Sequence, residues 1–104
     1  KNLKKHSNKE KYFFSSIKSN HRKFEEKRYW RGPVWINCNW IIYQGLKNKD
    51  IKFANQIKKK TINLVKQKGF NEYFSCKTGK GFGATNFSWT ASLFLDLILE
   101  NKYE

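Results

Sequence analysis

The segment DIKFANQIKKKTINLVKQKG (residues 50–69) carries the most regular pattern in this sequence. Its apolar and small residues recur near a period of 3.6, as on one face of an amphipathic helix: Ile51, Ala54, Ile57, Thr61, Ile62, Leu64 and Val65. Lysines 52, 58, 59, 66 and 68 are expected on the opposite, solvated side. Asp50 suits the N-cap, and Gly69 is a natural stop after the last turn. We therefore predict one surface helix between these two residues.

Two further helices are predicted on either side of this segment. Pro33 suits the first turn of a helix that apolar residues continue to Leu46. Ser88 is a candidate cap for a last helix, which is apolar almost all round as far as Leu99. Such a helix needs burial on every side, which two other helices cannot supply, so the sequence predicts neighbours outside this chain. Residues 69–87 are predicted to form a long loop, of a length that is usually functional.

Composition indicates one folded unit with a strongly basic charge. The 104 residues are 38% hydrophobic and 17% aromatic, enough for a packed core, and the formal net charge is +14. Such a charge is typical of nucleic-acid binding, but Lys, Asn, Ile, Phe and Tyr, which all have AT-rich codons, make up half the chain. We favour composition drift as the cause. Residues 1–28 are predicted to be a basic, solvated connector, and residues 29–104 the folded segment.

The cysteines and the ends of the chain restrict the possibilities further. Cys38 and Cys76 match no zinc or redox spacing and are expected to be small buried residues, so neither a metal site nor a cofactor is predicted. No apolar run reaches membrane-spanning length. Because the sequence starts at Lys1 and contains no Met, we expect it to be a segment of a longer protein.

The block YWRGPVW (residues 29–35) is the first of three candidate functional motifs. Aromatic planes can stack on sugar rings, and the forked donors of Arg31 and of the following Asn37 and Asn39 suit sugar hydroxyls. The alternative is a packed helix N-terminus with a structural arginine.

The block GFNEYF (residues 69–74) is the second motif. It places Glu72 between aromatic residues in a loop, an arrangement that suits acid–base chemistry. The alternative is a solvated surface charge, the commoner fate of a glutamate.

The third motif is TGKGFG (residues 78–83), followed by FSWT (residues 87–90). A nucleotide-binding turn is rejected, because no strand is predicted before it and the third glycine is missing. These glycines are expected to allow a sharp turn or a close approach of the backbone to a ligand.

Taken in order, the three blocks resemble the C-terminal part of glycoside hydrolase family 63 catalytic domains. The resemblance covers residues 28–99 and implies an all-α fold, a partial (α/α)6 toroid of about three helices with long loops. It also implies an inverting exo-α-glycosidase, with α-glucosides or small α-glycosides such as mannosylglycerate as substrates and glucose or mannose in the first subsite. The remainder of the catalytic domain would be the partner of this segment, and a bacterial source would favour the cytoplasm.

The resemblance also implies the roles of individual residues. Glu72 matches the general base, while the general acid, an aspartate, is expected outside this chain. Trp30, Arg31, Trp35 and Trp89 match positions that line the sugar subsite, although Trp35 could instead be a core residue. Many relatives have Asp-Pro where this chain has Ser75-Cys76, which puts the finer substrate contacts in doubt. The isolated chain is expected to be inactive.

Two other classes of function stay open at this point. A small basic nucleic-acid-binding domain would explain the charge and the interleaved aromatic residues, but the basic residues are diffuse and no known reader motif is present. A non-catalytic helical interaction module, decayed from the enzyme, would explain the motifs without activity.

Overall fold

Three helices and one short hairpin make up the regular structure of residues 11–100, the part of the chain that the computed structural model describes. The helices are α1 (Ile36–Leu46), α2 (Ile51–Lys68) and α3 (Ser88–Glu100). The strands β1 (Tyr73–Phe74) and β2 (Gly81–Phe82) lie between α2 and α3 and pair antiparallel. The mainly helical architecture confirms the predicted fold class.

Helix α2 begins and ends where the sequence predicts. The Asp50 side chain accepts a hydrogen bond of 3.2 Å from the Phe53 amide, as an N-cap residue does. Gly69 follows the last turn with φ of 90°, and its amide donates to the Val65 carbonyl at 2.8 Å. Because glycine adopts positive φ without a steric penalty, it stops the helix at little cost.

The buried face of α2 is largely the predicted one but differs at Lys58 and Ile51. Lys58, expected on the solvated side, is only 5% exposed. Its Nζ donates to the Tyr43 hydroxyl at 3.1 Å and lies 5.0 Å from the centre of that ring. Ile51, expected on the apolar face, is exposed in the first turn. The period was predicted correctly, but a lysine whose charge meets an aromatic ring and a hydroxyl can enter a face that sequence assigns to water.

The predicted start of α1 at Pro33 is wrong by three residues, because Val34 is held in an extended conformation. The Val34 amide donates to the Phe74 carbonyl at 2.7 Å, and the Phe74 amide donates back at 2.9 Å. A second bridge joins Val34 to Ser15. These strand-like bonds need extended backbone, so the helix begins only at Ile36, with Trp35 as the N-cap.

Helix α3 also differs at its start. The Phe87 carbonyl accepts from the Ala91 amide at 3.1 Å, so Phe87 is the N-cap and Ser88 is already helical. The expectation that Ser88 caps this helix is therefore wrong by one residue.

The predicted loop at residues 69–87 contains the hairpin. Tyr73 lies opposite Phe82 and Phe74 opposite Gly81. Beyond this pairing the Ser75 amide donates to the Lys80 carbonyl at 2.8 Å, and the turn includes Gly79 at φ of 77°. The hairpin carries β1 against Val34 and so fixes residues 72–74 relative to the start of α1.

Two apolar clusters form the core of residues 11–100. The first joins residues of the N-terminal stretch to all three helices: Phe13, Phe14, Tyr43, Phe53, Ala54, Ile57 and Leu97. The second lies under the hairpin: Val34, Ile36, Leu64, Val65, Phe74 and Cys76. The expectation of a solvated connector is thus wrong for residues 13–15, which are buried. The boundary at residue 28 stays a prediction, and residues 1–10 lie outside the described part.

Buried Asn39 ties the N-terminal stretch to the helices. Its Oδ1 accepts from the Phe14 amide at 3.0 Å, and its Nδ2 donates to the Phe13 carbonyl at 2.8 Å and to Thr61 Oγ1 at 3.0 Å. Since a buried amide is costly without partners, these three bonds explain why an asparagine is tolerated here.

One side of α3 is not covered by residues 11–100. Thr90 and Leu97 are its buried residues, whereas Trp89, Leu95 and Leu99 are each about half exposed. Cys76 is buried as predicted, Cys38 is partly buried, and both are free thiols. Within the described residues, no helix is both long and apolar enough to cross a bilayer.

Candidate active site

Four aromatic rings from two parts of the chain form a cluster beside the hairpin. The Trp30 and Trp35 rings stack at 4.1 Å between centroids and 14° between planes, and Trp35 also stacks on Tyr73 at 5.0 Å and 21°. Tyr29 meets all three rings edge-on, at 4.7–5.5 Å. Trp35 is 2% exposed and Trp30 is 47% exposed. The cluster therefore has an accessible aromatic ring, Trp30, packed on a buried one, Trp35.

The segment before α1 folds back on itself to bring these rings together. Gly32 passes so close to the Glu25 carbonyl that a Cβ atom would overlap it. The Glu25 amide donates to the Arg31 carbonyl at 2.7 Å, and the Gly32 amide donates to Ser16 Oγ at 3.0 Å. The Trp35 indole donates to the Tyr29 carbonyl at 2.8 Å. These bonds set the positions of the aromatic side chains on either side of Gly32.

Glu72 lies beside this cluster, immediately before β1. Its amide donates to the Ala84 carbonyl at 2.9 Å, and its Oε1 accepts from the Ala84 amide at 3.0 Å. Its Oε2 accepts from the Tyr29 hydroxyl at 3.2 Å. A carboxylate can accept about four hydrogen bonds, so these two donors leave sites for a water molecule.

The Tyr29 hydroxyl is held in its neutral form. Partial desolvation of the phenol, the hydrogen bond to Glu72 and the charge of that carboxylate raise the pKa of Tyr29 above its ordinary value of 10.0. Near neutral pH the phenol is therefore a hydrogen-bond donor.

The glycines of the third motif make room for side chains of the second. A Cβ on Gly83, which has φ of 72°, would lie 2.5 Å from Glu72 Oε1 and 2.8 Å from Tyr73 Cε1. A Cβ on Gly81 would overlap the Asn71 side chain. The close neighbour expected for these glycines is a ligand, whereas at Gly83 the neighbour is the side chain of Glu72, the candidate base.

The remaining predicted residues, Arg31 and Trp89, contact residues other than Glu72. Arg31 is partly exposed and pairs with Glu25 at 3.7 Å. Trp89 is half exposed at the start of α3, where its ring faces Phe87 at 6.4 Å. The adjacent Thr90 donates from its hydroxyl to the Asn71 carbonyl at 2.8 Å, which joins this end of α3 to the segment before Glu72. Trp30 and Trp35 are in the aromatic cluster with Tyr29, whereas Arg31 turns towards Glu25.

The other carboxylates of residues 11–100 bind groups elsewhere. Their partners are Arg28 for Glu25, Ser75 for Glu26, the Phe53 amide for Asp50, Trp40 for Asp96 and Lys47 for Glu100. No group of three His, Cys, Asp or Glu that could hold a metal occurs in this part of the chain. Within residues 11–100, Glu72 is thus the carboxylate that lies beside the cluster of Tyr29, Trp30, Trp35 and Tyr73.

Sequence reasoning missed Tyr29 and Tyr73 as members of this cluster, and Gly83 as the residue that makes room for Glu72. Tyr29 opens the first block, but its contact with Glu72 spans 43 positions. One available signal was that a tyrosine in one motif and a glutamate in another are suited to a hydrogen bond.

Comparison with known proteins identifies the family. Residues 1–90 match the family described as mannosylglycerate hydrolase MGH1-like glycoside hydrolase domain. The chain belongs to this glycoside hydrolase family. The chain is 44% identical over 78 residues to the mannosylglycerate hydrolase of Rubrobacter radiotolerans, and the match covers 74% of this chain and 18% of the relative. It is 40% identical over 88 residues to that of Thermus thermophilus, covering 84% and 21%.

The fold of the chain also matches that of a solved enzyme. The crystal structure of the family 63 mannosylglycerate hydrolase from a second strain of Thermus thermophilus, in complex with glucose, superposes with a TM-score of 0.82 at 36% identity, covering 89% of this chain and 24% of that one. The predicted family 63 resemblance and the partial (α/α)6 toroid are confirmed. The chain spans about a fifth of the length of the two curated relatives named above.

Proposed function

We propose that this chain is one segment of an inverting α-glycosidase and that it supplies the general base, Glu72, together with part of the sugar subsite. The observation that carries the proposal is the Glu72 carboxylate, held on one oxygen by the Ala84 amide and on the other by the Tyr29 hydroxyl, beside the aromatic cluster. Both curated relatives named above are mannosylglycerate hydrolases, which supports the assignment.

In the proposed reaction, Glu72 removes a proton from a water molecule. That water attacks the anomeric carbon on the face opposite the leaving group, while a carboxylic acid protonates the glycosidic oxygen. Inverting enzymes place these two carboxyl groups about 6.5–9.5 Å apart to make room for the water. We assign the acid to chain outside this segment, since the other carboxylates of residues 11–100 bind other partners.

The aromatic cluster offers the sugar a stacking surface. Trp30 presents an exposed ring, and Trp35 supports it from the buried side, so we assign Trp35 to holding Trp30 in place. Arg31 and Trp89 would contribute from the edges of the site, Arg31 as a forked donor to hydroxyls.

Small α-glycosides of mannose or glucose are the proposed substrates. Besides the mannosylglycerate hydrolases, a glucosylglycerate hydrolase of Mycolicibacterium hassiacum is 30% identical over 76 residues. Another crystal structure of the Thermus thermophilus enzyme contains Tris and D-glycerate. We therefore expect an aglycone of about the size of glycerate.

The test uses the complete protein that carries residues 1–104, with mannosylglycerate and glucosylglycerate as substrates. Proton NMR of the fresh product should show the β-anomer first, and Glu72→Gln should lower kcat by about 10²–10⁴-fold, the usual contribution of a general base. Glu100→Gln is the matched control, because Glu100 pairs with Lys47 between α1 and α3. Full activity of the Glu72→Gln protein, or an α-anomer as first product, would contradict the proposal.

The isolated chain provides a second test. We expect purified residues 1–104 to show no hydrolysis, because the acid and most of the toroid would be missing. Hydrolysis by the pure chain that is lost on Glu72→Gln would show that a single segment suffices, and would overturn the assignment of the acid to another segment.

A further inference from the structure

Tyr29 contributes the one side-chain hydrogen bond that Glu72 receives within residues 11–100. The hydroxyl donates to Glu72 Oε2 at 3.2 Å, whereas the other oxygen, Oε1, receives the Ala84 amide at 3.0 Å. Tyr29 precedes α1 and Glu72 follows α2, so this bond joins two distant segments of the chain. The phenol is therefore in a position to orient the Glu72 carboxylate.

The orientation of a glutamate carboxylate depends on such a second donor. The last torsion of a glutamate side chain is broad, so a bond to Oε1 alone lets the carboxylate plane rotate. Donors on both oxygens fix that plane. Here one donor is a backbone amide of the segment after β2, and the other is a side chain fixed independently of it.

The Tyr29 side chain is itself held firmly. Its ring meets Trp30, Trp35 and Tyr73 edge-on, and its carbonyl accepts from the Trp35 indole at 2.8 Å. Its backbone adopts φ of 21°, which is unusual for a residue with a side chain. A residue kept in an uncommon conformation by several contacts is typical of a site where placement matters.

We propose that Tyr29 is a positioning residue for the base: its hydroxyl fixes the Glu72 carboxylate plane so that a free lone pair faces the attacking water. This inference rests on the proposed function of Glu72 and assigns a role to a residue outside the predicted sugar lining. The phenol transfers no proton in the reaction. Its raised pKa supports this, because a neutral hydroxyl donates throughout the neutral range.

The first experiment is Tyr29→Phe in the complete protein, which keeps the ring and removes the hydroxyl. We expect kcat to fall by about 10- to 100-fold because the base is misdirected, with KM changed less than about threefold. Tyr12→Phe makes the same chemical change in a tyrosine that packs against the second core cluster, and should leave kcat unchanged.

A second variant tests the proposal even if Tyr29→Phe folds poorly. Incorporating 3,5-difluorotyrosine at position 29 keeps both ring and hydroxyl but makes the phenol more acidic. We expect it to have near-normal activity at low pH and a new loss of activity on the alkaline side, where the phenol ionises and stops donating.

The outcomes separate this inference from the proposed function. If Glu72→Gln lowers kcat as expected while Tyr29→Phe matches Tyr12→Phe in both kcat and KM, Tyr29 is not a positioning residue although the base assignment stands. An unchanged alkaline limb with 3,5-difluorotyrosine would overturn it equally. If Glu72→Gln keeps full activity, the proposed function itself fails.

Discussion

Replacing Gly83 by alanine would place a methyl group against the candidate base. The Cβ atom would lie 2.5 Å from Glu72 Oε1, 2.9 Å from Glu72 Cβ and 2.8 Å from Tyr73 Cε1. Each distance is shorter than van der Waals contact, so the carboxylate has to move. The φ of 72° adds a separate penalty, because this region disfavours every residue with a Cβ.

The size of the effect is the sum of two contributions. The left-handed backbone costs alanine about 1–2 kcal/mol relative to glycine. Displacing the carboxylate also weakens the hydrogen bond between the Ala84 amide and Oε1, and a bond to a charged group contributes about 1.5–3 kcal/mol. Because this bond is exposed, we take the lower end of its range and expect Gly83→Ala to lower the free energy of unfolding by about 2.5–3.5 kcal/mol.

Urea unfolding of residues 1–104, followed by circular dichroism, measures this change. Gly45→Ala is the matched control, since Gly45 lies in helix α1 and a Cβ there meets nothing within 4 Å. That variant should stabilise the chain by about 0.5–1 kcal/mol. If Gly83→Ala leaves the free energy of unfolding within about 0.5 kcal/mol of wild type, the close packing against Glu72 is refuted.

Three further predictions concern single side chains. Burial raises the pKa of the Cys38 thiol, so Ellman's reagent should label it more slowly at pH 8 in the folded chain than in urea; equal rates would contradict this. The hydrogen bond from Tyr29 is present below the ordinary tyrosine pKa and is lost as pH rises through the raised one. In ¹³Cζ NMR titrations, Glu72→Gln should lower the Tyr29 pKa in part, since desolvation, the largest cause, remains; an unchanged pKa would exclude the contact. Leu97 is 1% exposed, so Leu97→Ala should lower the free energy of unfolding by about 2–5 kcal/mol. Leu95 is 54% exposed, so Leu95→Gln should change the free energy of unfolding of the isolated chain by less than about 0.5 kcal/mol. The reverse order in urea unfolding would contradict the observed burial.

Local signals made much of the helical structure predictable. Asp50 and Gly69 mark the ends of α2 through their own chemistry, an oxygen acceptor at one end and a residue tolerant of positive φ at the other. The motif order also led to the family, which the comparisons confirm. The helix-end signals lie within a few neighbouring residues, and the motifs are recognised by their order along residues 28–99, so one sequence suffices to detect both.

Features that depend on distant partners could not be predicted in this way. Pro33 suits a helix start, yet the exchange of hydrogen bonds between Val34 and Phe74 keeps the chain extended for two more residues. The same exchange stabilises a hairpin whose strands are too short for an alternating pattern to reveal. The bond between Tyr29 and Glu72 belongs to the same class, because the suitability of two side chains for a hydrogen bond does not show that residues 43 positions apart lie close together.

Helix α3 shows how an ambiguous pattern can be informative. Its sequence is apolar almost all round and so gives no outward side, and in the structure Leu97 packs in the core while Leu95 and Leu99 stay exposed. A helix of this composition normally has more of its surface covered by other elements than residues 11–100 provide. Under the proposed function, the other helices of the toroid cover the exposed side of α3. The two mannosylglycerate hydrolases named above are long enough to contain those helices. The apolar residues on all sides of α3 make its solvent-facing side unpredictable from sequence, and the same composition is expected of a helix inside a larger domain.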